Sequence, residues 1–339
     1  MHPLTLLLCL AVSTLDEPPK VHKIAVGGEG GWDYLSVDEG AHRLYVSRGD
    51  RVMVVDLESE KVVGTLPDTN GVHGVAVAPE LGVGFTSNGR DSSVTVFDLK
   101  TLKPKATLKA SGTPDAILYD PASGRVFTFN HGTDDTTAID AKTATVAGTL
   151  ALGGEPEAAV ADGKGHIFVN IRSKGEIAEF DATSLKVLNR WPVAPGTRPS
   201  GLAMDTQRRR LFSVCANQMM VVLDADKGTV VDSVPIGRGT DGCVFDPAKG
   251  LAYSSNGGDG TVTAVGPADG GKYKVVATIP TQPGARTIAI DPKTHRLYLS
   301  AATPLPTPAA PPAEAKEKAQ PKGRRGMVPG SFVVVVVGD

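Results

Sequence analysis

The sequence predicts an all-β fold, a seven-bladed β-propeller of four-stranded antiparallel blades, and three observations carry the prediction. First, a short apolar strand ending in Asp recurs: Leu35-Ser-Val-Asp38, Ile117-Leu-Tyr-Asp120, Ala159-Val-Ala-Asp162, Leu202-Ala-Met-Asp205, Val244-Phe-Asp246 and Ile288-Ala-Ile-Asp291, with Ala78-Pro79 in the second copy. The anchors at 38, 78, 120, 162, 205, 246 and 291 are spaced by 40 to 45 residues. Second, Asp56, Asp98, Asp140, Asp181, Asp224 and Gly266 repeat with steps of 41 to 43. Two independent anchors with one period near 42 define a repeat of blade length. Third, the two ends complement each other, as set out below.

Each copy reads as four short strands. In the second, Gly74–Ala78 is a strand of small residues, Pro79–Gly82 a turn and Val83–Ser87 a strand. Asn88–Ser92 turns, Ser93–Phe97 alternates, Asp98–Leu102 turns again, and Lys103–Leu108 is the fourth strand. Helical periodicity is absent. The last copy lacks a fourth strand after Leu297–Ser300 and Phe332–Val337, whereas Lys20–Val26 precedes the first complete copy and resembles the fourth strands at Lys61–Leu66 and Lys274–Ile279. Pairing the N-terminal strand with Phe332–Val337 closes the ring and removes two open sheet edges.

Residues 1–19 are expected to form a leader and residues 20–339 one propeller domain. The apolar run Leu4–Val12, with small residues at Ala11 and Ser13, suits a signal peptide, although no Lys or Arg precedes it. The alternatives are a start placed too early or a buried strand. Cys9 invites lipidation, but Leu8 stands where a small residue is expected. The expected location is therefore periplasmic or extracellular. No run of about 20 apolar residues is present to span a membrane. Cys215 and Cys243 lie one repeat apart and are expected to be buried thiols, with a disulfide between neighbouring blades as the alternative. Residues 303–330, rich in Pro, Ala and Lys, interrupt blade seven between its second and third strands and are expected to be disordered. Their basic half holds Lys316, Lys318, Lys322, Arg324 and Arg325 against Glu314 and Glu317; it reads as a solvated tether or, alternatively, a clamp for an anionic partner.

Phe85-Thr-Ser-Asn88, Phe127-Thr-Phe-Asn130 and Tyr253-Ser-Ser-Asn256 resemble the Tyr-Val-Thr-Asn element of YVTN/YncE-like propeller repeats. The resemblance covers residues 20–339, with Arg48, Ile171, Cys215 and Ala301 replacing the Asn in four copies. It implies an exported propeller and no particular reaction. There is no Trp-Asp dipeptide, so the WD40 type is a poorer match.

The turn aspartates are expected to be structural, accepting backbone hydrogen bonds two residues on. Chemistry is expected instead at one mouth of the central channel, where loops on a rigid disc converge. The starts of the innermost strands give Asp33, His73, Asp115, Glu157, Ser200, Asp241 and Arg286. The ends of the second strands add Arg48, Asn88, Asn130 with His131, Arg172, Asn217 and Asn256. Three readings follow: a solvated mouth whose charges neutralise one another, a site for a small polar ligand or a peptide or protein partner, and a divalent-metal site. Carboxylate and amide oxygens suit Ca²⁺, whereas His73 with His131 and a carboxylate suits Zn²⁺.

The favoured function is a binding or scaffolding module working as a monomer. The alternative is a metal-dependent hydrolase resembling propeller lactonases, with Asp33, Glu157, Asp241, Asn88 and Asn256 as ligands, although those enzymes are generally six-bladed. A quinone-cofactor oxidoreductase is disfavoured because only Trp32 and Trp191 are present for docking between blades. A net charge of -2 and 5% aromatic residues argue against nucleic acid.

Overall fold

A computed structural model describes residues 19–305 and 326–338. They form seven sheets, each of four antiparallel strands. The second blade runs Val72–Ala78, Val83–Asn88, Ser93–Asp98 and Pro104–Lys109, within two residues of the sequence reading at every boundary. A single 3₁₀ turn, Pro79–Leu81, occupies the predicted first turn of that blade.

The ring closes as expected. Val21–Ala25 pairs antiparallel with Val333–Val337, from Val21 opposite Val337 to Ala25 opposite Val333. Blade seven is thus assembled from both ends of the chain. The valine run reflects burial on two faces: Val334 and Val336 enter the core between blades seven and one, whereas Val335 and Val337 enter the core between six and seven. A strand covered on both sides needs an unbroken apolar run rather than an alternating one.

The repeated residues now have physical roles. The third residue of every second strand is aromatic and buried: Tyr45, Phe85, Phe127, Phe168, Phe212, Tyr253 and Tyr298. These rings fill the wedge between neighbouring blades. The turn aspartates cap as predicted; Asp98 Oδ1 accepts from the Lys100 and Thr101 amides, and Asp224 Oδ1 from those of Asp226 and Lys227. The innermost strands are small because they crowd the axis. A Cβ on Gly201 would lie 2.5 Å from the Cys243 backbone nitrogen.

Three departures from the sequence reading concern side-chain direction and the blade-seven insertion. Asn88, Asn130 and Asn256 are buried within their blades. Each carboxamide oxygen accepts from the hydroxyl two residues earlier (Thr86, Thr128, Ser254), and each nitrogen donates to third-strand oxygens, Ser93 and Thr95 in blade two, Asp135 and Thr137 in blade three, Thr261 and Thr263 in blade six. The recurring Asn is a clasp between two strands of one sheet. Where it is missing, buried Ile171, Cys215 and Ala301 replace the polar clasp with apolar packing.

Arg48 is likewise turned inward, 1% exposed. Its guanidinium donates to the carbonyls of Gly27, Gly28, Gly30 and Gly31 and stacks 3.9 Å from the Phe332 ring centroid. Burial, with Arg51 nearby, lowers its pKa to about 10. Arg48 pins the loop that carries the chain from the closing strand into blade one. Arg48→Ala is expected to cost about 2–4 kcal/mol in urea unfolding, because the carbonyls lose charge-assisted partners, and Arg48→Lys should recover little of it, having no planar fork. A loss below about 0.5 kcal/mol would rule out this pinning role.

The third departure is the insertion in blade seven, which is not irregular throughout. At its base Pro304 bridges Met327, the Leu305 amide donates to the Gly326 carbonyl at 2.8 Å, and the Val328 amide donates to the Thr303 carbonyl at 2.8 Å. This stem stands beside Trp32 and Arg286, with which Met327 lines a shallow groove. The basic residues 316–325, Cys9 and the leader lie outside the described residues. Cys215 and Cys243 are both free and buried. No helix among the described residues is long and apolar enough to cross a membrane.

Candidate functional site: the charged channel mouth

The innermost strands start at one face of the disc, so their first side chains meet around the axis. Asp33, His73, Asp115, Glu157, Asp241 and Arg286 gather there, joined from the second-strand ends by His131 and Arg172. Asn88, Asn130, Asn256 and Arg48 do not join them, for the reasons above. Asn217 braces an exposed loop, accepting from the Thr197 amide and donating to the Pro195 carbonyl. Ser200 is buried and turns its hydroxyl to the Val214 carbonyl at 3.5 Å.

Acidic and basic residues alternate around the opening. His73 Nδ1 lies 2.7 Å from Asp33 Oδ2 and 2.8 Å from Asp115 Oδ1. The other Asp115 oxygen is 3.1 Å from His131 Nε2, which is 3.9 Å from Glu157 Oε2. Glu157 Oε1 accepts from Arg172. Across the mouth, Arg286 pairs with Asp241 at 3.3 Å and donates to the Trp32 carbonyl at 3.0 Å. Thr287 donates to the Asp33 carbonyl at 2.8 Å, so blade seven holds the start of blade one in place.

This packing sets the charge states. Burial opposes a proton on His73, but the Asp115 and Asp33 carboxylates outweigh it and lift the imidazole to about 10. Burial also opposes a charge on Asp115, yet the His73 hydrogen bond and the nearby cations hold its pKa below the ordinary value. Burial and the neighbouring Asp115 charge push Glu157 up to about 7 against the pull of His131 and Arg172. Asp241 is pushed up to about 6, mainly by burial, with Arg286 opposing and Asp33 and Asp115 adding to the rise.

Sequence reasoning missed Tyr34. It belongs to the entry of blade one, yet its ring packs against the core that holds Ala116 and Phe129 of blade three. The ring therefore reaches across the channel. Burial, then Asp115, Glu157, Asp33 and Asp241, hold its hydroxyl in the neutral form. Directly beneath the charged ring lies a cavity of about 190 Å³ lined by Leu35, Val75, Ala116, Ala159, Leu202 and Ile288. These residues follow Asp33, His73, Asp115, Glu157, Ser200 and Arg286 by one or two positions along the chain, so mostly apolar side chains begin just below the charged mouth.

The fold and site define a seven-bladed propeller with a charge-alternating channel mouth above an apolar cavity. No family model matches the chain, and no curated protein resembles it in sequence. Solved structures do resemble it. A chain of the Kuenenia stuttgartiensis hydrazine synthase superposes with a TM-score of 0.71 at 16% identity, covering 79% of this chain and 92% of its own. The WD40 repeats of RRP9 give 0.77 at 9% identity, covering 95% and 99%. A chain of a mitotic checkpoint complex gives 0.72 at 14% identity, covering 88% and 92%. At these identities the likeness establishes the propeller fold.

Proposed function

We propose that this chain is an exported binding or scaffolding propeller of the YVTN/YncE-like kind, holding a small zwitterionic ligand or a peptide segment at the channel mouth. The observation that carries the reading is the alternation of carboxylates (Asp33, Asp115, Glu157, Asp241) with His73, His131, Arg172 and Arg286 around a single opening. A ligand bearing both signs can exchange its own charges for these internal pairs, whereas a ligand of one sign leaves half of them unmatched. The apolar cavity beneath accepts a short side chain. Export is supported by the leader-like N-terminal sequence, and the YVTN-like reading by the Thr/Ser–Asn clasps. That a similar propeller belongs to a mitotic checkpoint complex supports partner binding by a disc of this shape.

The lactonase-like alternative loses two of its five ligands, because Asn88 and Asn256 commit their carboxamides inside the blades. The test is calorimetric titration with a panel of dipeptides of varied side chain. Saturable binding is expected for at least one dipeptide, weakened at least about tenfold by Arg172→Gln combined with Asp241→Asn, with the peptide recovered intact. Binding indifferent to that double substitution, or cleavage of the peptide that the substitution abolishes, would sink the reading.

A further inference from the structure

Two sets of three potential ligands, Asp33–His73–Asp115 and Asp115–His131–Glu157, lie within coordination reach and share one carboxylate. They are not equivalent. In the first, His73 Nδ1 sits at hydrogen-bond distance from both carboxylates, so that nitrogen already has partners. In the second, His131 Nε2 is buried and makes no hydrogen bond, although Asp115 Oδ2 is 3.1 Å away and Glu157 Oε2 is 3.9 Å away. The first pair is within hydrogen-bond distance but misaligned for one, and the second is too long. The two separations bracket the spacing of about 3.3 Å between ligand atoms that each bind a tetrahedral Zn²⁺ at about 2.0–2.1 Å.

We propose that Asp115 Oδ2, His131 Nε2 and Glu157 Oε2 form a mononuclear site for a first-row divalent transition ion, with Zn²⁺ as the natural probe. Three further features fit. Each carboxylate presents one oxygen to the site while its other oxygen is fixed by a cation: Asp115 Oδ1 by His73 and Glu157 Oε1 by Arg172. Such outer partners orient metal ligands and sharpen affinity. The His131 backbone is tied down as well, its amide donating to the Thr113 carbonyl at 3.1 Å. Finally, three protein ligands leave one coordination position, and it opens on the channel mouth. One imidazole and two carboxylates favour Zn²⁺, Mn²⁺ or Fe²⁺ over Ca²⁺, which would require several more oxygens. The site occupies the mouth assigned above to ligand binding but does not depend on that reading, because metal uptake is measured with no organic ligand present.

The test uses the full chain, stripped with chelator and then titrated with Zn²⁺. One equivalent is expected to bind, and Co²⁺ in its place should give visible d–d absorption from a four-coordinate ion. His131→Ala and Glu157→Gln should each weaken Zn²⁺ binding at least about tenfold, and each by more than Asp33→Asn, which touches the site only through His73. Glu157→Gln is isosteric, so it reports even if His131→Ala folds poorly. Absence of stoichiometric Zn²⁺ in the full chain would overturn the proposal. So would loss of binding in Asp33→Asn with retention in Glu157→Gln, which would assign the metal to the set that contains His73. Either failure leaves the dipeptide titration of the preceding subsection intact.

Discussion

Deleting residues 19–26 is expected to open the ring and yield an aggregating species. Among the described residues, Val21–Ala25 is the only cover on the outer edge of Val333–Val337. Its removal takes away about five backbone hydrogen bonds, each with a net value near 1 kcal/mol, and the burial of Ile24, which adds about 2 kcal/mol. That sum, more than about 5 kcal/mol, rivals the total stability of an ordinary domain. The exposed edge would be a run of valines with no charge and no proline, a strong template for intermolecular strand pairing. Size-exclusion chromatography and urea unfolding check the outcome. A soluble deletion variant with an unchanged urea midpoint would mean that the remaining blades are stable as an open ring. A milder substitution, Ile24→Asp, should show the same trend by burying an unpaired charge in the core between blades seven and one.

The second large effect is a stability maximum on the acid side of neutrality. Glu157 titrates near 7 in the folded protein instead of 4.5, and Asp241 near 6 instead of 3.8. Between those values the folded chain holds more protons than the unfolded chain, so stability falls as pH rises through each window. His73 acts in the same direction. Its pKa is raised from 6.5 to about 10, so its contribution is complete below pH 6.5 and is lost as pH climbs towards 10. The opposing groups are turn aspartates such as Asp56, Asp98, Asp140 and Asp181, whose pKa values are lowered; what they contribute is present above their unfolded values and lost in stronger acid. The balance places maximum stability near pH 4–5. Metal-stripped protein is expected to lose on the order of 3 kcal/mol between pH 5 and pH 9, a figure reduced from the full linkage value because solvent reaches the mouth. Urea melts at pH 5, 7 and 9 test this. Glu157→Gln should flatten the lower half of the decline, and His73→Gln the upper half. Stability that rises steadily from pH 5 to pH 9 would show that the mouth does not retain these protons.

Much of this architecture is legible in the sequence because its causes are local and repeated. An Asp that closes a tight turn does so in blade after blade, so Asp98 and Asp224 mark the period in the order of residues alone. The join between the chain ends is legible for a different reason, since an unmatched fourth strand has one place to go. The mouth is legible in part. Position along a strand gives height above the disc, and it places Asp33, His73, Asp115, Glu157, Asp241 and Arg286 at one level. Position does not give side-chain direction. Asn88 and Asn256 end at the right height but point into their sheets, where Thr and Ser hydroxyls satisfy them. Arg48 reads as one more cation at the rim, because nothing nearby in sequence shows that four glycine-loop carbonyls need a donor. Tyr34 escapes notice because it sits between the rim residue Asp33 and the apolar Leu35, and only the path of its ring across the channel separates it from an ordinary core aromatic. In residues 303–330, composition suggests an unstructured loop, whereas the stem at Pro304 and Met327 depends on backbone pairing that composition does not encode.

The partnership of Val21 with Val337 also governs when the molecule can be finished. A ribosome delivers one of these strands ahead of every blade and its neighbour behind them all, on the order of tens of seconds apart. Six blades can mature as they emerge, but the seventh waits for its last strand. Until then blade seven lacks the strand that joins its two halves, and only the arrival of the valine run can close the ring.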